Sequence, residues 1–172
     1  VAYSGRISRE KGVDMIIEAA RRHPDISFRF AGAVRDANLV KDLPANVTLM
    51  GHLSGRDLEN FYRNARFFVM ASRWYEGFPM TILEAARYGK PMIAPDHGGF
   101  TEIIGHGDTA IGLLVTPNDP SSLESAIATL WSSPSRSCTL GIAAHDKLKS
   151  EYSTEVISQK WKRLTRDLQP HS

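Results

Sequence analysis

Phe67-Phe68-Val69-Met70-Ala71, then Glu76-Gly77-Phe78-Pro79-Met80-Thr81-Ile82-Leu83-Glu84-Ala85-Ala86-Arg87-Tyr88-Gly89, then Pro91-Met92-Ile93-Ala94-Pro95, is the stretch that decides the fold. It reads as strand, helix, strand. The outer runs are short and continuously apolar, as in strands with both faces covered by helices. The middle run predicts a helix over Met80–Tyr88. Pro79 suits a first helical position, and Gly89 suits a helix end.

The same alternation extends outward. Toward the amino terminus, Val1–Ser4 reads as a strand. Val13, Ile16, Ile17 and Ala20 follow at helical spacing, and His23-Pro24-Asp25 breaks that helix. Ile26–Ala31 and Val47–Met50 read as strands. Ser54 and Gly55 open a helix with apolar Leu58, Phe61, Tyr62 and Ala65. Toward the carboxyl terminus, Gly98-Gly99 reads as a turn before a short helix near Thr101–Ile104, and Gly112–Val115 as the last strand. Ser121-x-x-Glu124 fits a capping box. The helix behind it carries Leu123, Ala126, Ile127, Leu130 and Trp131 on one face. Two more helices are predicted over Ser135–Glu151 and Thr154–Leu168. About six strands interleaved with helices predict an α/β, Rossmann-like, doubly wound parallel sheet. Ligands of such sheets bind at the carboxyl ends of the strands, so the loops after the strands are where function is sought.

The 172 residues suit one domain, residues 1–172, and leave little room for a second. Lys and Arg number 21 against 19 Asp and Glu, so a net charge of +2 gives no support to a nucleic-acid partner. Hydrophobic residues at 42% and charged residues at 23% exclude disorder and collagen-like chains. The single cysteine, Cys138, excludes an intrachain disulfide and a Cys-rich metal site, and fits a reducing compartment. No apolar run approaches the roughly 18 residues of a spanning helix. The first residues lack the regions of a signal peptide. The chain starts without Met, inside a strand, and reads as an excised piece of something longer.

Gly5-Arg6 … Lys11-Gly12 places two cations after the first strand and before a helix. Beside free backbone N–H groups they suit an anion; two solvated loop charges fit the same letters. No P-loop motif is present. Glu76 and Glu84 flank the strand-to-helix junction. With a helix starting at Pro79, Glu84 lies about 7–8 Å along its axis. Carboxylates so spaced can accept hydrogen bonds from vicinal hydroxyls at two ends of a long ligand. The N–H groups of Gly77 and Phe78 are expected at the helix N-terminus, where a pyrophosphate is favoured. The plainer alternative is a helix-end charge plus a surface glutamate. Gly98 and Gly99 allow close backbone approach to a ligand, while Glu102 reads as serving the short helix's N-terminus. His97, after Asp96, reads as a polar loop residue, with a metal or general-base role as the rival. No metal-ligand spacing occurs. Cys138 lacks an activating motif. Trp131 and Trp161 read as core. Trp74-Tyr75 either stack on a ligand ring or pack under their loop.

Together, Gly5-Arg6 … Lys11-Gly12, Glu76-Gly77-Phe78-Pro79 … Glu84-Ala85 … Gly89-x-Pro91 and Gly98-Gly99-x-x-Glu102 resemble the C-terminal, donor-binding domain of family-4 retaining glycosyltransferases of the GT-B fold. The resemblance covers roughly Val1 to Trp131. It implies that Arg6 and Lys11 hold the donor's diphosphate and stabilise the leaving group. Glu76 would contact hydroxyls of the transferred sugar near the reacting centre, making Glu76, Arg6 and Lys11 the catalytic set. N–H groups of Gly77, Phe78 and Met80, next to Pro79, would face sugar and phosphate, with Gly98 and Gly99 lining the donor pocket. Glu84 would accept from the ribose hydroxyls, and Gly51-His52-Leu53 would flank the nucleobase. The donor is expected to be a UDP- or GDP-linked sugar, used without a metal or other cofactor. Thr109-Ala110-Ile111-Gly112-Leu113-Leu114-Val115 has one residue more than the family's run, which predicts a displaced loop there.

An acceptor-binding N-terminal half is expected in the full-length enzyme and has no counterpart in this sequence. The chain alone is therefore expected to bind donor weakly and not to turn over. A cytoplasmic enzyme, at the membrane periphery when complete, is the expected setting. The rival readings are a non-catalytic nucleotide-binding module and a sugar-nucleotide epimerase. A glycosidase fits less well, because its carboxylates flank one bond at about 5–10 Å. Ile157, Trp161, Leu164 and Leu168 form an apolar stripe on the last helix, exposed or packed against a partner.

Overall fold

The computed structural model describes residues 1–167. One six-stranded sheet contains β1 (Ala2–Ser4), β2 (Phe28–Ala31), β3 (Val47–Gly51), β4 (Phe68–Val69), β5 (Met92–Pro95) and β6 (Gly112–Val115). Its order is β3-β2-β1-β4-β5-β6, and every strand pair is parallel. The helices are α1 (Val13–Arg22), α2 (Gly55–Asn64), α3 (Met80–Arg87), α4 (Gly98–Ile104), α5 (Pro120–Ser132), α6 (Pro134–Glu151) and α7 (Thr154–Asp167). This is the doubly wound Rossmann-like sheet that the alternation predicts.

The order fixes where a ligand can sit. From β1 the chain moves one way across the sheet to β2, and from β4 it moves the other way to β5. Right-handed crossovers therefore put α1 and α3 on opposite faces. A crevice opens between β1 and β4, outside their carboxyl ends. Tyr3, Phe28, Phe30, Phe68 and Ile93 are fully buried between the layers. Phe61, Tyr62 and Phe68 form an edge-and-stack aromatic cluster, and α1 packs on α5 as α3 packs on α6.

Several expectations need correction. Strand β3 is exposed, with Leu49 and Met50 at the surface, because it is an edge strand paired only with β2. Helix α3 starts at Met80, so Pro79 is its N-cap and not its first residue. Gly98 and Gly99 are not a turn before α4 but its first two residues. Ser121 does not cap α5. Asp119 does, accepting from the Ser121 N–H, with Pro120 at the first position; Ser133-Pro134 opens α6 in the same way. Glu124 is thereby free to pair with Arg22 at 3.1 Å. The segment before β6 forms a short 3-10 turn (Gly107–Thr109), and β6 then runs in register with β5 over all four residues. Trp131 is half-buried under the Arg66 guanidinium. Trp161 is not core: it is 62% exposed on α7. Leu168 lies outside the described residues.

Candidate functional site

The loops leaving β1 and β4 meet over the crevice. Gly12 takes a left-handed φ of 67° between the short turn Arg9–Lys11 and α1. A Cβ there would lie 1.8 Å from the Ala71 carbonyl oxygen, so only glycine lets the two loops touch backbone to backbone. That contact delivers Lys11 to Glu76: the Lys11 ammonium donates to Glu76 Oε1, which also accepts from Ser72 Oγ at 3.1 Å. The lysine side chain is 14% exposed. A half-buried ion pair is favourable only when further hydrogen bonds satisfy it, and Ser72 supplies one.

A second bridge ties the same loops at the rim. Both Arg73 guanidinium nitrogens donate to the Asp14 carboxylate, at 2.7 and 2.9 Å. The Arg73 N–H donates to the Glu10 carbonyl at 2.9 Å. Beneath the β1 loop, the buried Tyr3 hydroxyl donates to the Arg6 carbonyl at 2.6 Å and fixes the loop's first turn. Burial, helped by the Glu76 and Glu10 charges and opposed by Arg6, pushes the Tyr3 phenol above its ordinary range.

The α4 end closes the third side. The Gly99 N–H donates to the Glu76 carbonyl at 2.7 Å. A Cβ on Gly99 would meet the Gly77 carbonyl oxygen at 2.5 Å. The two glycines thus allow close approach to the Glu76–Gly77 backbone itself. His97 Nε2 lies 3.0 Å from the Ser72 carbonyl. A nitrogen facing a carbonyl is the protonated one, so this histidine braces the Glu76 loop. Tyr75 lies over the His97 ring at 4.8 Å. Glu102 is the fifth residue of α4, not part of its first turn, because the helix starts earlier than expected.

The remaining predicted residues divide by position. Arg6 is exposed and pairs with Glu10 at 3.2 Å. Gly77 and Phe78 are exposed but precede the helix; the first-turn N–H groups of α3 belong to Met80 and Thr81. Pro79 is buried. Leu53 is half-buried after β3, where the Gly51 carbonyl accepts from the Gly32 N–H at 2.7 Å. Glu84 projects from the second turn of α3, and its Oε2 accepts from the Tyr62 hydroxyl at 2.5 Å. Glu76 and Glu84 share no partner. Lys11 holds one and Tyr62 the other. Trp74 and Tyr75 are exposed at the rim and do not pack under their loop.

Sequence reasoning missed Ser72, Arg73, Asp14, Tyr3 and Tyr62. Arg73 and Asp14 look like ordinary surface charges. Tyr62 sits at a helical apolar position, where its hydroxyl is invisible to periodicity.

A hollow of about 310 Å³ lies at the rim of the site, lined by Arg9, Glu10, Asp14, Arg73 and Trp74; another, of about 590 Å³, lies elsewhere, between Arg63, Arg87, Lys90 and His145. Among the described residues, no cluster of three or more His, Cys, Asp or Glu is placed to hold a metal ion. No helix among them is long and apolar enough to cross a membrane.

The family model described as Glycosyl transferases group 1 matches residues 1–146. An uncharacterized glycosyltransferase of Methanocaldococcus jannaschii is 33% identical over 147 residues, covering 81% of this chain and 40% of that protein. The D-inositol 3-phosphate glycosyltransferase of Pseudarthrobacter chlorophenolicus is 31% identical over 156 residues, covering 83% of this chain and 36% of its own length. The solved structure of Anabaena HepE in complex with UDP shares the fold with a TM-score of 0.86 at 22% identity, over 97% of this chain and 48% of that one. Sucrose-phosphate synthase from Thermosynechococcus elongatus gives 0.84 at 26% identity, over 97% of this chain and 45% of that one. The chain spans less than half the length of these proteins.

Proposed function

The chain belongs to the glycosyl transferases group 1 family, and from that premise we propose that its crevice binds the donor of a family-4, retaining hexosyl transfer. The donor is a nucleotide-diphosphate sugar, UDP- or GDP-linked. One observation carries the reading: the Lys11–Glu76 pair stands at the crevice between β1 and β4. A diphosphate would draw Lys11 away from Glu76, and a sugar hydroxyl would take up the carboxylate so released. Each partner of the pair thus keeps a place for one half of the donor.

The chemistry needs stabilisation of charge on the departing diphosphate as the anomeric C–O bond breaks. Arg6 and Lys11 supply it as cations at the crevice, and the reading requires no cofactor. Met80 and Thr81 offer helix N-terminal N–H groups nearby. Glu76 orients the sugar, and Glu84 accepts from the ribose. In this reading the acceptor is bound by a second half of the full-length enzyme, a cytoplasmic protein, so residues 1–172 alone bind donor weakly and transfer nothing.

Calorimetry with UDP, GDP and UDP-glucose tests the donor reading. Wild type should bind one nucleoside diphosphate, and Lys11→Ala should weaken it about tenfold or more, as loss of a charge-assisted bond implies. Equal affinity of wild type and Lys11→Ala would remove the crevice from the donor role. Measurable transfer from labelled UDP-glucose by the chain alone would overturn the half-site reading.

A further inference from the structure

Tyr62 is 2% exposed, buried in the middle of an aromatic stack. Its ring lies over Phe68 at 4.7 Å and under Tyr88 at 5.4 Å. Packing accounts for the ring but not for the hydroxyl, which leaves the stack to donate to Glu84 Oε2 at 2.5 Å. Helix α2 and helix α3 are therefore joined through this one oxygen. Glu84 itself is exposed on the second turn of a helix. An exposed glutamate there ordinarily samples several rotamers. Burial, together with the bond to Glu84, pushes the phenol above its ordinary range, so it stays a donor throughout the working pH range.

We propose that Tyr62 is a positioning residue for nucleotide recognition: its hydroxyl holds Glu84 by one carboxylate oxygen and so aims the other at the ribose hydroxyls of the donor. The inference rests on the donor reading above. It goes beyond that reading in making sugar discrimination at the ribose depend on a residue that touches no ligand. Glu84 Oε2 is spent on the phenol, and Oε1 is left to accept. A carboxylate fixed in this way distinguishes ribose from deoxyribose better than one free to rotate, because less entropy is lost when the ribose bond forms.

The test uses paired probes, UDP with 2′-deoxy-UDP and GDP with 2′-deoxy-GDP, titrated into wild type, Glu84→Gln and Tyr62→Phe. Tyr62→Phe removes one oxygen and keeps the stacked ring. Wild type should prefer the ribo form by about tenfold, the scale of one hydrogen bond to a charged group. Glu84→Gln should lose most of that preference. Tyr62→Phe should lose several-fold of it while binding the deoxy form as wild type does. If Glu84→Gln loses the preference and Tyr62→Phe keeps it, the positioning role is overturned and the donor reading stands. If Tyr62→Phe weakens ribo and deoxy forms equally, Tyr62 only packs, and the proposal falls. If wild type binds neither pair, or binds both members alike, the ribose role of Glu84 fails and takes the proposal with it.

Discussion

The crevice between β1 and β4 is marked in the sequence by charged loops that follow strands, and helix α7 by an amphipathic pattern, and the two are built in opposite ways. At the crevice the loops touch backbone to backbone, and Lys11, Glu76, Arg73 and Asp14 each have a partner from across the gap. On α7 the apolar stripe faces outward: Ile157 is half-buried, while Trp161 and Leu164 are 62% and 50% exposed. A periodic pattern tells which face of a helix is apolar. It does not tell whether the same chain supplies something to cover it. The crevice loops find their partners within residues 1–167, and the α7 stripe does not.

The sharpest way to break this contrast is Gly12→Ala. The left-handed φ and the 1.8 Å approach to the Ala71 carbonyl leave a methyl group no room. Strain of this kind plus a backbone shift should cost at least about 3 kcal/mol, and thermal unfolding should shift down by roughly 6–12 °C for a domain of this size. An unchanged melting temperature would show that the loops are not locked together.

Alkaline titration probes the same region chemically. Tyr3 and Tyr62 are both raised, mainly by burial. Unfolded, each loses its proton near pH 10; folded, each keeps it longer. Above about pH 10 the folded state therefore binds more protons than the unfolded one, and stability falls as pH rises, by about 1.4 kcal/mol per unit per tyrosine. Below pH 10 these two groups contribute no pH dependence. Urea unfolding between pH 9 and 11 should show the fall, and Tyr62→Phe should make it shallower. An equal slope in the variant would mean that the phenol ionises freely in the folded state.

How much of this was legible beforehand follows from the nature of each signal. The sheet was legible because buried strands and amphipathic helices repeat their patterns many times, as at Phe67–Ala71 and Met92–Pro95. Lys11 and Glu76 were singled out because their loops follow strands, where the fold places ligands. The Arg73–Asp14 bridge, 59 positions apart, left no mark in the sequence, since a long-range ion pair has no period. Tyr62 was read for its ring alone. The α5 start was misread because Ser121-x-x-Glu124 outshone Asp119-Pro120, although an aspartate cap before a proline is an equally good signal.

The Arg73–Asp14 bridge gives a smaller, quantitative handle on the crevice. The pair is bidentate but lies at the rim, about one-third exposed on each side. A double-mutant cycle of Arg73→Ala and Asp14→Ala should return a coupling of about 1 kcal/mol, at the upper end for surface pairs. The coupling should shrink in molar salt. A value near zero would mean that the backbone contacts and the Lys11–Glu76 pair hold the loops together without this bridge.

The smallest effect is expected at α7, and its smallness is the point. Helix α7 is amphipathic, with its apolar stripe turned outward. Replacing Trp161 and Leu164 by serine removes apolar surface that is already largely in water, so little burial is lost. Two such changes should together alter unfolding free energy by less than about 1 kcal/mol. Phe68→Ala, at the centre of the sheet, should instead cost about 3–5 kcal/mol. A loss above about 2 kcal/mol in the α7 variant would mean that the stripe is packed in solution, by this chain or by a second copy. A concentration-dependent melting temperature would identify the second copy. With the small effect found, the α7 stripe stands as an apolar face that this chain leaves in water.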